Sequence, residues 1–301
     1  MPVAVQGLTG VTQLGAGDRH ACALVGGSVK CWGGNLQGQL GDNSNTDSAT
    51  PVSVIGLTNA KAIAVGCYHT CAILTDGTVV CWGIGSNGRL GQGSMADSKT
   101  PVAVQQLTGV TAISAGCYHT CAVVAGGAVK CWGGGSSGQI GNGGTGDSYQ
   151  PSSVVGITGA TDVACGFLST CAVANGGVKC WGDNSWGQLG NNTKTNSPLP
   201  VDVIGLTNAK AVSVHVSAAC ALTVAGDVAC WGANNGTTTG MSLVPMAVPA
   251  LSNVTAISVG PGHTCAVRAT AAPRCWGLGA NGQLGNMSTA SSPTPVTVKN
   301  L

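Results

Sequence analysis

The stretch His69-Thr-Cys-Ala-Ile-Leu-Thr-Asp-Gly-Thr-Val-Val-Cys-Trp-Gly83 holds two β-prone runs around Asp76-Gly77, the sequence form of a hairpin. Its closing Cys-Trp-Gly recurs at Cys31, Cys81, Cys131, Cys180, Cys230 and Cys275. A second cysteine stands nine or ten positions before each, at Cys22, Cys71, Cys121, Cys171, Cys220 and Cys265. Working outward, Ala60-Lys-Ala-Ile-Ala-Val65 is small and β-branched, as a buried inner strand requires, and Gly66 ends it. Before it lies Pro51-Val-Ser-Val-Ile-Gly-Leu57. After the hairpin come Asn87-Gly-Arg-Leu-Gly91 and a polar loop running to Pro101.

A unit of strand, turn, strand and loop cannot bury a core alone, so neighbouring units must pack face to face. Radial packing of small sheets is a propeller. Counted from each Pro-x-x-Val, the units are residues 2–50, 51–100, 101–150, 151–199, 200–244 and 245–294, within one domain over 1–301. The expected fold is all-β: a β-propeller of six repeats of about 50 residues, either six closed blades or an open seven-blade ring. On this phasing a seventh Pro-x-x-Val, Pro295 to Leu301, begins a unit that never continues. In a closed six-blade ring it competes with Pro2 to Leu8 for one place.

Composition agrees. Glycine numbers 49 residues and charged residues are 7% of the chain, which suits short strands and many tight turns. The 12 Lys and Arg residues are scattered and the net charge is +2, so the electrostatic footprint of a nucleic-acid binder is missing. No apolar run approaches the ~18 residues of a membrane span.

The pattern Gly-x-x-His-Thr, then Trp-Gly, then Gly-Gln-Leu-Gly, then Pro-x-x-Val resembles the repeat of the regulator-of-chromosome-condensation (RCC1) family over essentially the whole chain. Gly17 to His20, Gly66 to His69, Gly116 to His119 and Gly260 to His263 carry the first element; Asn35 to Gly41, Gln188 to Gly190 and Gln283 to Gly285 carry the second. The cysteines mark a secreted, disulfide-rich, bacterial-type variant. The resemblance implies a propeller, most often of seven blades, and some bacterial members inhibit secreted enzymes. Repeat four has Ser169 and repeat five has Ala218 in place of the histidine. Repeat five also reads Gly236-Thr-Thr-Thr-Gly240 where Gly-Gln-Leu-Gly is expected, so its blade should be the least regular. The family's nucleotide-exchange activity finds no support in so weakly charged and cysteine-rich a chain.

The two cysteines of each unit face each other across a hairpin, within reach of a disulfide, rather than forming the short Cys-x2–4-Cys knuckles of zinc sites. Six such pairs argue for an oxidising compartment, hence a secreted or cell-surface protein. Cys67, Cys117 and Cys165 are left over. Cys117 could bridge to Cys165 between blades, leaving Cys67 free or paired with another molecule. Alternatively Cys67 or Cys117 could act as a nucleophile beside His69 or His119, but the same histidine recurs at His20 and His263 without such a cysteine, which favours a structural hydrogen bond.

The residues between Gly and His vary most among repeats, and three of the chain's four Tyr and Phe residues (Tyr68, Tyr118, Phe167) fall there, beside Arg19. The resemblance puts these positions around the central axis on one face. They are the candidate binding residues, with channel packing as the competing role. Trp186, in a loop position held elsewhere by Gln37, Asn87, Ser137 and Asn281, is a fifth candidate. No Ser-His-Asp, paired-carboxylate or phosphate-loop pattern can be built. The expected function is a non-catalytic, extracellular binding, adhesion or inhibitor module for a protein or surface glycan, without cofactor or metal. The alternative is a structural subunit that self-associates through unmatched ends.

Overall fold

The computed structural model describes residues 4–233 and 240–299. Six four-stranded antiparallel sheets follow one another in the order of the chain. Blade one is β1 (Val11–Ala16), β2 (His20–Val25), β3 (Ser28–Gly33) and β4 (Ser48–Ser53). Blade two is β5 (Ala60–Val65), β6 (His69–Leu74), β7 (Val79–Gly83) and β8 (Ser98–Ala103). Blade three is β9 (Val110–Ala115), β10 (His119–Val124), β11 (Val129–Gly133) and β12 (Ser148–Ser153). Blade four is β13 (Ala160–Cys165), β14 (Ser169–Ala174), β15 (Gly177–Gly182) and β16 (Ser197–Asp202). Blade five is β17 (Ala209–Val214), β18 (Ala218–Thr223), β19 (Val228–Ala233) and β20 (Met241–Ala247). Blade six is β21 (Val254–Val259), β22 (His263–Arg268), β23 (Arg274–Gly277) and β24 (Ser292–Thr297). The first strand of each blade lines a central channel.

Two findings correct the repeat phasing. The Pro-x-x-Val segment does not open a unit: Pro51 to Ser53 are the end of β4, the outer strand of the preceding blade, and the same holds for Pro101, Pro151 and Pro200. A tandem repeat has no intrinsic starting point, so its period leaves the blade border open. For the same reason Pro295 to Thr297 belong to blade six as part of β24 and do not open a unit. Of the departure from Gly-Gln-Leu-Gly in repeat five, Gly236 to Gly240, residues 236–239 lie outside the described residues.

Cys-Trp-Gly does three jobs at once. Its cysteine pairs directly across the hairpin with the upstream cysteine, Cys22 with Cys31 and Cys71 with Cys81 for example, at Cα separations of 4.1 and 4.0 Å, and all six blades carry this disulfide. Closing a loop of about ten residues stabilises by roughly 2–3 kcal/mol on a chain-entropy account, less where the hairpin forms unaided. At the tryptophan the pairing with the outer strand slips, as between Cys81 and Gly83 in β7. That bulge aims the indole at the neighbouring blade. Trp82 buries against Leu40 and Val54 of blade one, and its Nε1 donates to the Gln39 carbonyl at 2.9 Å. Trp132, Trp181 and Trp231 repeat the bond to the carbonyls of Arg89, Gln139 and Gln188. The glycine, at φ +104° in Gly83, lies where a Cβ would come within 2.5 Å of the Tyr68 carbonyl, so the turn before the second strand can settle onto it.

The packing therefore lies between blades. Among the described residues, apolar clusters join blades one and two, two and three, three and four, four and five, and five and six. None joins six to one.

A seventh disulfide links Cys67 to Cys117, from blade two to blade three, with Cα atoms 4.6 Å apart. The alternative partner, Cys165, is a free, buried thiol. Cys67 and Cys117 both follow the glycine that ends an inner strand, so they occupy equivalent places on adjacent blades. Cys165 precedes its glycine, is the last residue of β13, and packs into the joint between blades three and four. In denaturant without reductant, iodoacetamide should label one cysteine per chain, Cys165, and none in the native protein. Labels on Cys67 and Cys117 as well, mapped by mass spectrometry, would refute the inter-blade bond.

Candidate functional site

Each inner strand meets the second strand through a tight turn, closed by backbone bonds such as Gly66 N–H to the His69 carbonyl at 2.8 Å and Gly116 N–H to the His119 carbonyl at 2.9 Å. The two residues between stand at the channel rim. Adjacent turns are also tied together: Asp18 N–H donates to the Cys67 carbonyl, Cys67 N–H to Gly116 and Cys117 N–H to Gly166, at 3.2–3.3 Å. A Cβ on Gly66 would sit 2.4 Å from the Gly116 carbonyl oxygen, so glycine permits this close approach. Rim side chains of blades one to four are thus carried on one hydrogen-bonded, disulfide-linked backbone.

On that backbone the Tyr68 hydroxyl donates to the Asp18 carboxylate at 2.7 Å, and this bond raises the tyrosine's pKa above its ordinary value. Tyr118 and Phe167 meet edge to face, with ring centroids 5.0 Å apart. Arg19 is exposed beside Asp18. The structure gathers these sequence candidates along one arc, half-buried rather than swallowed by the channel. Trp186 stands apart on the loop of blade four, 52% exposed, its backbone N–H donating to Gln188 Oε1. That loop is rigid: buried Asn184 accepts from Leu189 N–H and donates to Asn191, Thr193 and Thr195.

Arg89 is the residue that sequence reasoning missed. It replaces the glutamine of Gly-Gln-Leu-Gly, and in the other repeats that side chain folds back on its own loop, as Gln39 and Gln139 do. Arg89 instead runs inward, 2% exposed, and its guanidinium lies 5.2 Å from the centroid of the Tyr118 ring. It donates to the carbonyls of Ser86 and Cys117 and to Asn87 Oδ1. Burial lowers its pKa, and the charges of Asp97 and Asp147 nearby offset part of that cost, while carbonyl dipoles and the ring face contact the guanidinium itself. The one signal in the sequence was the change from Gln to Arg at a repeated position.

The histidines are structural. His20, His69 and His119 each reach a threonine of the next blade, Thr70, Thr120 and Thr170, at 2.7–2.8 Å from Nε2. Thr120 and Thr170 pass the hydrogen bond on to the carbonyls of Arg89 and Gln139, the same atoms that accept from the tryptophans. A threonine that donates onward must accept from the imidazole, which places the proton on Nε2. Where Ser169 and Ala218 replace histidine, the ladder stops, and Thr264 Oγ1 is buried without a partner. Cys67 and Cys117 are bonded to each other, so neither supplies a thiolate beside these histidines. The side chains of His119, Cys121 and Cys165 converge within 4.8 Å, but Cys121 is in a disulfide and burial pushes the Cys165 thiol up to about 12. This cluster is not a set of free metal ligands.

The channel encloses a cavity of about 560 Å³, walled mainly by backbone and small side chains from all six blades. Small radial sheets stacked by inter-blade indoles, with variable side chains collected on one rim, form the architecture of a protein-interaction propeller. The chain belongs to the RCC1-like domain family, whose model matches residues 1–301. It is similar to the secretion-regulating guanine nucleotide exchange factor of Bos taurus, 38% identical over 60 residues, which are 20% of this chain and only 13% of that protein. Its fold is similar to human WBSCR16, with a TM-score of 0.87 at 21% identity over 96% of this chain and 82% of that one. It is also similar to Prp20p of Saccharomyces cerevisiae, a structure reported with its binding to Gsp1p and histones; the TM-score is 0.84 at 20% identity over 96% and 77% of the two chains.

Burial lowers His20 to about 4 and His119 to about 3, and lowers His69 as well, against 6.5 for the free side chain. The unfolded chain therefore takes up protons that the folded one refuses. The histidines' contribution is complete above pH 6.5 and is lost as pH falls toward 4 and 3. The urea midpoint should drop across that window, and drop less in the His20→Gln, His119→Gln double variant. A midpoint equally pH-dependent in both proteins would show that other groups are responsible.

Proposed function

We propose that this chain is a non-catalytic, extracellular or cell-surface protein-interaction propeller, and that it engages its partner through the rim of blades one to four. The observation that carries this reading is the arc of Asp18, Tyr68, Tyr118 and Phe167 with Arg89 beneath Tyr118. Tyrosine and arginine are, with tryptophan, the side chains enriched among interface anchors, and the tyrosine ring brings large contact area at low entropic cost. Here their geometry is fixed before a partner arrives, which lowers the ordering cost of binding. Arg19 extends the surface at the blade-one end, and Trp186 offers a separate exposed contact on the loop of blade four. A surface glycan, whose sugar faces stack on aromatic rings, is the other class of ligand such an arc suits.

The proposed location rests on the cysteines. Seven disulfides in one chain suit an oxidising compartment, and a single remaining thiol is buried where oxidants do not reach. Protein binding by the yeast relative Prp20p is a precedent for the use of the fold. Nucleotide exchange is not carried over, since the match to the bovine exchange factor spans 60 residues.

Affinity capture from culture supernatant and detergent-released surface protein should recover a partner with the native chain. The Tyr118→Ala, Phe167→Ala double variant should bind that partner more weakly by at least ~2 kcal/mol, about thirtyfold. Arg89→Gln restores the residue found in other repeats and should keep the fold while weakening the same complex. Equal affinity of all three proteins, measured by calorimetry, would remove the rim from consideration.

A further inference from the structure

The Cys67–Cys117 bond differs from the other six disulfides in where it lies. A hairpin disulfide joins two strands whose ladder holds the sulfurs opposite each other, as in the pairs Cys71 with Cys81 and Cys121 with Cys131. In blades one to five both cysteines of that bond are buried, at no more than 1% exposure. Cys67 and Cys117 stand instead in two rim turns, 50 residues apart and outside any strand, and both line the channel cavity of about 560 Å³. Cys67 is half-buried and Cys117 is 6% exposed, so a reagent in the channel meets Cys67 first. Cys265 of blade six is the one hairpin cysteine that also lines this cavity. Its partner Cys275 lies directly across the ladder, so a sulfur expelled there stays opposite the bond it left and recloses it.

Arg89 sets the direction of cleavage. In thiol–disulfide exchange a thiolate attacks one sulfur and the other leaves as a thiolate, faster when that anion is stabilised. Nη1 of Arg89 donates to the Cys117 carbonyl, which brings a buried positive charge to the residue that carries this sulfur. The chain's free thiol, Cys165, is no attacker: burial pushes it up to about 12, and its sulfur is turned toward His119 and Cys121, within 4.8 Å of both. From the channel-facing bond and the buried guanidinium we infer that Cys67 is a site of reversible thiolation by low-molecular-weight thiols. The thiolate RS⁻ bonds to Cys67 Sγ, the bond between Cys67 and Cys117 breaks, and Cys117 departs as a thiolate beside Arg89. One disulfide is lost and one mixed disulfide is gained, so no oxidant or reductant is consumed. The cavity admits a molecule of cysteine's size, whereas a thiol on a folded protein would have to bring its scaffold past Tyr68 and Tyr118. Those tyrosines follow the two cysteines directly, so the same step removes the covalent tie between the two tyrosine-bearing turns.

The test treats the native 301-residue protein with cysteamine at neutral pH, quenches it in acidic denaturant containing N-ethylmaleimide, and maps both labels by peptide mass spectrometry. Cysteamine should appear on Cys67, maleimide on Cys117 and Cys165, and neither on the hairpin cysteines. Arg89→Gln should thiolate about tenfold more slowly, because its departing Cys117 thiolate is less stabilised. A folded carrier protein bearing one surface thiol should react far more slowly than cysteamine at equal thiol concentration. Cysteamine on Cys265 or another hairpin cysteine before Cys67, or none bound until the protein unfolds, would overturn the site. Cysteamine on Cys117 with maleimide on Cys67, or an unchanged rate in Arg89→Gln, would overturn the direction assigned to the cleavage. Equal rates for the carrier protein and cysteamine would overturn the restriction to small thiols.

Discussion

In blades one to four a carbonyl of the loop carrying Gln39, Arg89, Gln139 or Gln188 accepts a hydrogen bond from the tryptophan of the next blade, and much of the molecule is arranged around that contact. A blade of four short strands has two faces and no interior. Burying an indole in the preceding blade supplies the missing core, and the loop carbonyl satisfies the one polar atom the indole carries inward. Replacing such a side chain by alanine typically costs about 3–5 kcal/mol, so each joint rests heavily on one residue. In blades two and three the same carbonyl also accepts from the threonine that the histidine holds. Indole, threonine and imidazole therefore converge on one backbone atom, and the blade angle is set with little freedom.

This mode of construction explains where the chain is rigid and where it varies. The hairpin disulfides remove conformations from the unfolded chain and lock the register of second and third strands. The bulge at the tryptophan places the following glycine under the rim turn, whose carbonyl then accepts from the next residue, as Ile84 N–H does to Tyr68. The rim turns are thus held by their backbone, and the joints do not depend on which side chains they carry. Variation between repeats can accumulate there without disturbing the joints. The aromatic arc and the inter-blade disulfide both arise at these positions.

Arg89 shows the limit of that separation. It sits at a joint position, contributes its carbonyl to Trp132 as a glutamine would, and besides bonding to Ser86 and Asn87 of its own loop carries its guanidinium on to Cys117 and Tyr118 at the rim. One residue serves scaffold and surface through different atoms. A change at a repeated position is therefore ambiguous until the direction of the side chain is known.

The sequence by itself determined the period, the strand-turn-strand unit, the β class and the six hairpin disulfides, because these depend on residues within about ten positions of one another. It also marked the Gly-x-x-His tips, since comparing six internal copies separates constant from variable positions. Only the tertiary structure decided the blade borders, because a tandem period reads the same from any starting point. It alone paired Cys67 with Cys117, which requires two rim turns 50 residues apart to stand side by side. The reach of Arg89 to Tyr118 was likewise invisible, since contact across blades depends on the angle between them. That the apolar clusters of the described residues make five joints among six blades follows from the same cause: closure is a property of the sum of those angles, and no local stretch of sequence encodes it.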